Sequence, residues 1–421
     1  MMRVIAISIA FLATFNAVAV GNVASGNAAF NDGIDRTDPD FVTASLLIMS
    51  PGNQLYSCVG HSVLRLECPK FGLDNCFTYE SESAKDKVLS FLAGNLKMGM
   101  FAVPTVEHLK ICAAEGRGVM QYRLNLPPTV KQRLWKYLDN KVAEGINLSY
   151  DYLSRGCAYA AFVALSRSIE PDYLLQIGKW PDRFDKWTRR EFVDAHLDGF
   201  PWNRFFIHTL AGAECDRDVP KSMKVVLSCD LLELLRIAHV NGQAVISTVG
   251  EELLAPNPQD SHVFITPMMI AFGFLLVSIA DFFLNAWHEW VAMLFLVFQS
   301  LLGVLFTYLV CVSNLPATDW NWLIIPFNLL PLIFWKWRRK WALWFVGVLL
   351  AWEAFIIFYP HFLTDPAYLV LVAAYIVMFT RIGWQGRARR PATATTTTSR
   401  SCADIFEQLR RDNEAARKGR G

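Results

Sequence analysis

Hydrophobic and polar positions divide this chain into regions of different character. After Met1-Met2-Arg3, the positions from Val4 to Val20 are almost all apolar and end in the small-residue motif Ala17-Val18-Ala19. A basic start, a short apolar core and an Ala-x-Ala site predict a secretory signal peptide over residues 1–19, with an uncleaved anchor as the alternative. Residues 30–262 then mix polar and apolar positions with many Gly and Pro, the pattern of a soluble domain large enough to bury its own core. Within it, residues 42–49 and 63–66 read as strands, separated by the turn signal Ser50-Pro51-Gly52-Asn53. From residue 263 onward the pattern becomes nearly continuously apolar. Residues 263–284, 290–311, 341–359 and 367–382 are long enough, or nearly so, to cross a bilayer as helices. Residues 320–335 form a shorter, kinked fifth candidate, because Pro326 and Pro331 interrupt it. The expected organisation is therefore a signal peptide (1–19), an exported domain (30–262), a bundle of about five transmembrane spans (263–382) and a cytoplasmic tail (383–421).

Charge fixes the orientation of that bundle. The stretch Lys336-Trp337-Arg338-Arg339-Lys340 and the tail from Arg381, with ten Lys/Arg against four Asp/Glu, lie on one side of the expected spans. The opposite loops, 313–319 and 360–366, hold no Lys or Arg. Basic residues stay in the cytoplasm, so signal peptide and loops agree on a multi-pass inner-membrane protein with its first domain in the periplasm. A hydrophobic content of 53% excludes a disordered chain, and a net charge of +2 excludes a nucleic-acid binder resting on bulk charge. In the tail, the Thr-rich run 393–398 reads as a linker, and 403–418 as a flexible segment or a partner-binding helix. Asp281 and Glu353 are rare residue types inside spans; Asp281 lies close to a helix end.

The exported domain contains seven cysteines: Cys58, Cys68, Cys76, Cys112, Cys157, Cys215 and Cys229. In an oxidising compartment three bridges would leave one thiol, with Cys68–Cys76 and Cys215–Cys229 as plausible local pairs. Cys157 is the candidate free thiol. It follows Gly156 and opens the apolar helical pattern Ala158–Leu165, so it falls in a first helical turn, where the helix dipole and unpaired N–H groups favour the thiolate. The alternative is a small core residue. A thiolate nucleophile needs a base. His61 follows Gly60 at the entry to a strand, where a side chain can face a cleft. His108 and His239 lie in helical patterns and read as surface or core residues. His262 adjoins the first span, and His196 and His208 give no functional signal. No Cys-x-x-Cys, Gly-rich phosphate loop or His-x-x-His cluster points to a metal or an organic cofactor.

Two segments then carry a family resemblance. Ser50-Pro51-Gly52-Asn53-Gln54-Leu55-Tyr56-Ser57 with Gly60-His61-Ser62-Val63-Leu64-Arg65 resembles the entry motif of the family described by the Lnb N-terminal periplasmic domain. Phe91–Leu96, Arg117-Gly118-Val119, Leu124-Asn125-Leu126, Tyr150-Asp151-Tyr152 and Cys157-Ala158 follow in the same order, and Ser313–Pro316 and Asn328–Leu332 extend the likeness over roughly residues 40–380. The family includes lipoprotein N-acyltransferases and resembles permuted papain-type (NlpC/P60-like) α+β folds, in which the His precedes the Cys. Here His61 comes 96 residues before Cys157. The resemblance implies Cys157 as nucleophile and His61 as base. It also implies phospholipids and lipoproteins as partners, and Arg117, which matches a family position, as a group that orients a phosphate or carboxylate. Tyr79 and Tyr56 are further substrate-contact candidates beside these motifs. Glu80, Asp151 and Tyr79 are candidates for the third catalytic position. Gly156 stands where the family usually has Asn. The same dyad would serve a periplasmic cysteine amidase or peptidase, and a non-catalytic membrane sensor is the remaining class.

Overall fold

The computed structural model describes residues 41–388 apart from 56, 82–86, 150, 152–155, 258–263, 285–287 and 360–363, together with Asp38, Glu407, Arg410 and Arg411. The expected signal peptide, Tyr56, His262 and nearly all of the tail lie outside the described residues.

Alternation of apolar side chains builds a seven-stranded antiparallel sheet. Its strands are β1 (Thr43–Met49), β2 (His61–Cys68), β3 (Leu73–Ser81), β4 (Lys97–Pro104), β5 (Val119–Arg123) and β6 (Leu148–Ser149), joined later in the chain by β10 (Glu251–Leu254). The spatial order is β10-β5-β1-β2-β3-β4-β6, and β7 (Leu175–Ile177), β8 (Ala238–Val240) and β9 (Gln243–Ala244) form a small separate sheet. Two-residue periodicity gives the large sheet two apolar faces. Ala44, Leu46, Leu64, Leu66 and Phe77 enter the main core. Leu47, Met49, Val63, Cys76 and Val119 enter a smaller core beneath the helix Thr105–Ala114.

The helix Cys157–Ile169 covers the main face. Ala158, Ala161, Phe162, Leu165 and Ile169 recur at helical spacing on its buried stripe and pack over β2 and β3. Leu165 is fully buried, and cutting it to Ala would cost about 2–5 kcal/mol.

The sequence-based cysteine pairing is corrected here. Cys58, Cys68, Cys76, Cys112, Cys157, Cys215 and Cys229 are all free thiols. Cys68 and Cys76 lie in different cores, on opposite faces of the sheet, and their strand partners, Leu73 and Arg65, are far apart in register. No bridge reaches across a pleated sheet in that way. Cys215 is buried and donates to the Ala317 carbonyl, whereas Cys229 is exposed and contacts His196 Nε2 at 3.2 Å. His239 is likewise corrected: it is an exposed residue of β8, not part of a helix.

Among the described residues, four helices are long and apolar enough to cross a membrane: Pro267–Leu284, His288–Cys311, Trp335–Phe358 and Pro366–Gln385. The expected third span is not one of them. Residues 316–337 run as short turns (Pro316–Thr318, Trp322–Ile324, Trp335–Trp337) and one helical turn, Leu330–Ile333. They nevertheless travel the length of the bundle. At one end Glu289 pairs with Arg338 at 3.0 Å, and Asp281 pairs with Arg381 at 2.7 Å and His288 at 2.9 Å. At the other end residues 313–321 meet the sheet domain. Irregular backbone at that depth needs its polar groups satisfied by protein. Gln299 Nε2 donates to the Pro326 carbonyl at 2.7 Å, and Trp352 Nε1 donates to the Trp322 carbonyl at 3.0 Å. Gly303 lets this segment approach, since a Cβ there would meet the Asn328 backbone at 2.9 Å. Among the described residues the bundle thus has five passes, called crossings below in chain order, four helical and one broken, and its basic end lies away from the sheet domain.

Candidate active site

Loop chemistry places the imidazole. Gly60 adopts φ +78°, and a Cβ there would meet the Met49 carbonyl oxygen at 3.0 Å, so only glycine turns the chain into β2 without strain. His61 follows as the first residue of β2, paired with Met49. The β1–β2 loop is pinned from β5: Ser50 N–H donates to the Gly118 carbonyl, Gly118 N–H donates to Ser50 Oγ, and Arg117 Nε donates to the Ser50 carbonyl, each at 2.9 Å.

The thiol arrives from the opposite direction. Gly156 is the extended N-cap (φ −63°, ψ 162°) of the helix Cys157–Ile169 and provides no side-chain cap. The first-turn N–H groups therefore remain open to an anion.

Cys157 and His61 meet at this end of the sheet, both half-buried. Burial alone would hold the Cys157 thiol neutral. The charged His61 ring, a hydrogen bond with it, and the Ser62 backbone and hydroxyl outweigh burial and bring the thiol down to about 6. For His61, burial and the Arg117 charge favour the neutral ring. The Cys157 thiolate and its hydrogen bond, with Glu80 beyond, nevertheless hold it above the ordinary imidazole value. Both shifts run in the direction that favours a thiolate beside an imidazolium. Burial pushes Cys76, Cys112 and Cys215 up to about 11, the opposite direction from Cys157.

The orienting group is one that sequence reasoning missed. His61 Nε2 lies 2.9 Å from Thr78 Oγ1, and Thr78 is buried in β3. With Nε2 engaged there, Nδ1 is the ring nitrogen left for the sulfur. Thr78 in turn hydrogen-bonds Glu80, whose carboxyl is pushed up by the surrounding protein and pulled back by the His61 charge and the Thr78 hydroxyl. Nε2–H donates to Oγ1, and Oγ1–H donates to the carboxylate. That chain holds one tautomer in either charge state of the ring. Thr78 and Glu80 are two apart on a strand, so they share a face. Their spacing was the available signal, but only the pairing of β2 with β3 brings them to His61.

The other expected residues take different places. Arg117 is 5% exposed and is bound to the Ser50 carbonyl and to Glu115 at 3.2 Å. Its position braces the His61 loop from below. Tyr79 is half-buried against the main core, on the strand face opposite Thr78 and Glu80. His108 is buried, and burial with the His61 and Arg117 charges pushes it down to about 4; it is neutral beside the charged His61. His208 is buried and held by Asp194 at 2.7 Å.

The end of the sheet carrying this site is also the end that meets the bundle. Ser313 Oγ and Asn314 N–H, just past the second crossing, donate to the Leu92 and Ala93 carbonyls between β3 and β4. β10 runs towards the site end, with Leu254 opposite Val119, and continues into the first crossing. The helix Pro201–Leu210 stacks Phe205 on Tyr368 with centroids 4.7 Å apart, and Tyr368 opens the fifth crossing. Asn203 of the same helix hydrogen-bonds Cys58 in the His61 loop.

Residues 29–189 match the family model described as the Lnb N-terminal periplasmic domain. The match spans His61, Thr78 and Cys157 and ends well before the membrane half, over which the sequence likeness also ran. No curated protein and no solved structure matches this chain. The N-terminal part of this chain is thus similar to the Lnb N-terminal periplasmic domain, and the described residues after it hold four helices long and apolar enough to span a bilayer.

Proposed function

We propose that this protein is an inner-membrane thiol acyltransferase that moves an acyl chain from a phospholipid to the α-amine of a diacylated lipoprotein. Its exported domain would be a permuted papain-type fold. The observation that carries the reading is a hydrogen-bonded Cys157–His61 pair at the end of the sheet abutting the membrane crossings. A soluble-substrate enzyme has no need for that placement, whereas two bilayer-embedded substrates require it.

His61 Nδ1 holds the Cys157 proton, and the thiolate attacks the ester carbonyl carbon. The open N–H groups of the first helical turn stabilise the resulting oxyanion. Collapse breaks the ester C–O bond, and His61 gives its proton to the departing lysolipid oxygen, leaving an acyl thioester on Cys157. The lipoprotein amine then attacks the thioester carbonyl while His61 takes the amine proton. The C–S bond breaks, forming the amide and restoring thiolate and imidazolium. Thr78 and Glu80 keep Nδ1 aimed at the sulfur throughout.

The test uses the full chain in phosphatidylethanolamine nanodiscs with a synthetic diacylated lipopeptide. Mass spectrometry is expected to find acyl-Cys157 without the lipopeptide and N-acyl lipopeptide with it, and neither in Cys157→Ala. Release of free fatty acid with no lipopeptide product would mean a hydrolase instead. Full complementation by Cys157→Ala in cells would leave only a sensor.

A further inference from the structure

The site mouth has an apolar rim that no part of the described chain covers. Between β3 and β4 lies the short helix Val88–Leu92, which contains no charged residue. Its inner face is taken: Leu92 packs against the bundle core. Its end is fixed too, by Ser313 and Asn314 and by Gly94 (φ +72°), where a Cβ would collide with the Asn314 and Leu315 backbone. This height is therefore set by the end of the second crossing at Cys311. Yet Leu89 is 80% exposed and Val88 51%. At the same end of the sheet, Leu55 of the His61 loop is 45% exposed, and its carbonyl receives Cys58 Sγ at 3.1 Å. Beside it Trp202 Nε1 donates to the Ile265 carbonyl, two residues before the first crossing.

Single exposed apolar residues are ordinary on protein surfaces. These belong to the β1–β2 and β3–β4 loops, at the end of the sheet that carries His61 and meets the bundle. They also continue the outward surface of the second crossing, whose last neighbour Val312 is 59% exposed. Apolar side chains at that height, on a helix without charge, fit the acyl region just below lipid headgroups. We infer that Val88 and Leu89, with Leu55, dip into the outer leaflet and form the lipid-contacting rim over which a phospholipid acyl ester reaches Cys157. This deepens, and rests on, the membrane-substrate reading of the site.

Val249 provides an internal control. It is also 80% exposed, but it lies past the Glu251–Gln121 pair, at the opposite end of the sheet. The full chain is placed in nanodiscs of phosphatidylethanolamine and phosphatidylglycerol, with a photo-crosslinking benzophenone amino acid at position 89 or at position 249. Irradiation is expected to give a covalent phospholipid adduct at 89 at least ten times more often than at 249. Equal yields, or no adduct at 89, would overturn the rim. A second arm reads Leu89→Glu: acyl transfer from bilayer lipid should fall about tenfold while the pH midpoint of Cys157 alkylation stays near 6. A Leu89→Glu protein that transfers acyl chains at full rate counts against the rim. A lipid adduct at 89 in a protein lacking acyl transfer upholds the rim and removes the proposed chemistry alone.

Discussion

Replacing His61 by Gln isolates the force that favours the Cys157 thiolate. Burial opposes the thiolate, and the largest contributions against it are the His61 charge and its hydrogen bond; together with Ser62 they bring the thiol from 9.0 to about 6. Gln keeps the approximate volume and a polar end but loses the charge. With burial unopposed by an imidazolium, the thiol should return to 9 or above, a change of three units, or about 4 kcal/mol between the protonation states. The assay is iodoacetamide alkylation of the full chain in nanodiscs from pH 4.5 to 10, followed at the Cys157 peptide by mass spectrometry. Cys76, Cys112 and Cys215, buried and pushed up to about 11, should stay silent near neutrality, and the exposed Cys229 is followed on its own peptide. The wild-type midpoint is expected near 6 and the His61→Gln midpoint near or above 9. The midpoint is a better reading than a rate at pH 7. Thiolate population there falls about 100-fold, but a more basic thiolate is also intrinsically more nucleophilic, with a Brønsted slope of about 0.4–0.5. A wild-type midpoint near 9, or a variant midpoint still within a unit of 6, would refute the ion-pair reasoning. Acyl transfer itself should rise through about pH 6 as Cys157 ionises. It should fall again above the raised His61 value, as the imidazolium loses its proton.

Two further outcomes test the surroundings of the pair. Thr78→Val conserves volume but removes the partner of His61 Nε2; a hydrogen bond to a charged group contributes about 1.5–3 kcal/mol, so kcat/KM should drop about 10- to 150-fold and the alkylation midpoint should rise, with the thermal unfolding midpoint of the chain little changed. Gly94→Ala adds αL strain of about 1–2 kcal/mol and a clash with the Asn314 carbonyl carbon at 2.5 Å; transfer from bilayer lipid should fall while the Cys157 midpoint stays near 6, and an unaffected transfer rate would mean that docking to the second crossing is dispensable.

Residues close in the chain carried their own instructions. The run of apolar positions after 263 predicted membrane helices because a bilayer selects length and hydrophobicity alone, and the basic clusters fixed their sense. The Gly60-His61 turn before alternating residues, and Gly156-Cys157 before a helical stripe, placed base and thiol at the starts of their elements. Tertiary structure decided the rest. Thr78 became the orienting hydroxyl only through the pairing of β3 with β2, and Arg117, polar in any sequence pattern, became a buried brace once β5 joined β1. The cysteine pairs failed because the sheet puts Cys68 and Cys76 on opposite faces, a separation that nearness in sequence conceals. Residues 316–337 abandoned helix because Gln299 and Trp352, from neighbouring crossings, satisfy the carbonyls of Pro326 and Trp322. Local pattern sets what an element wants to be; long-range pairing decides which polar group finds which partner.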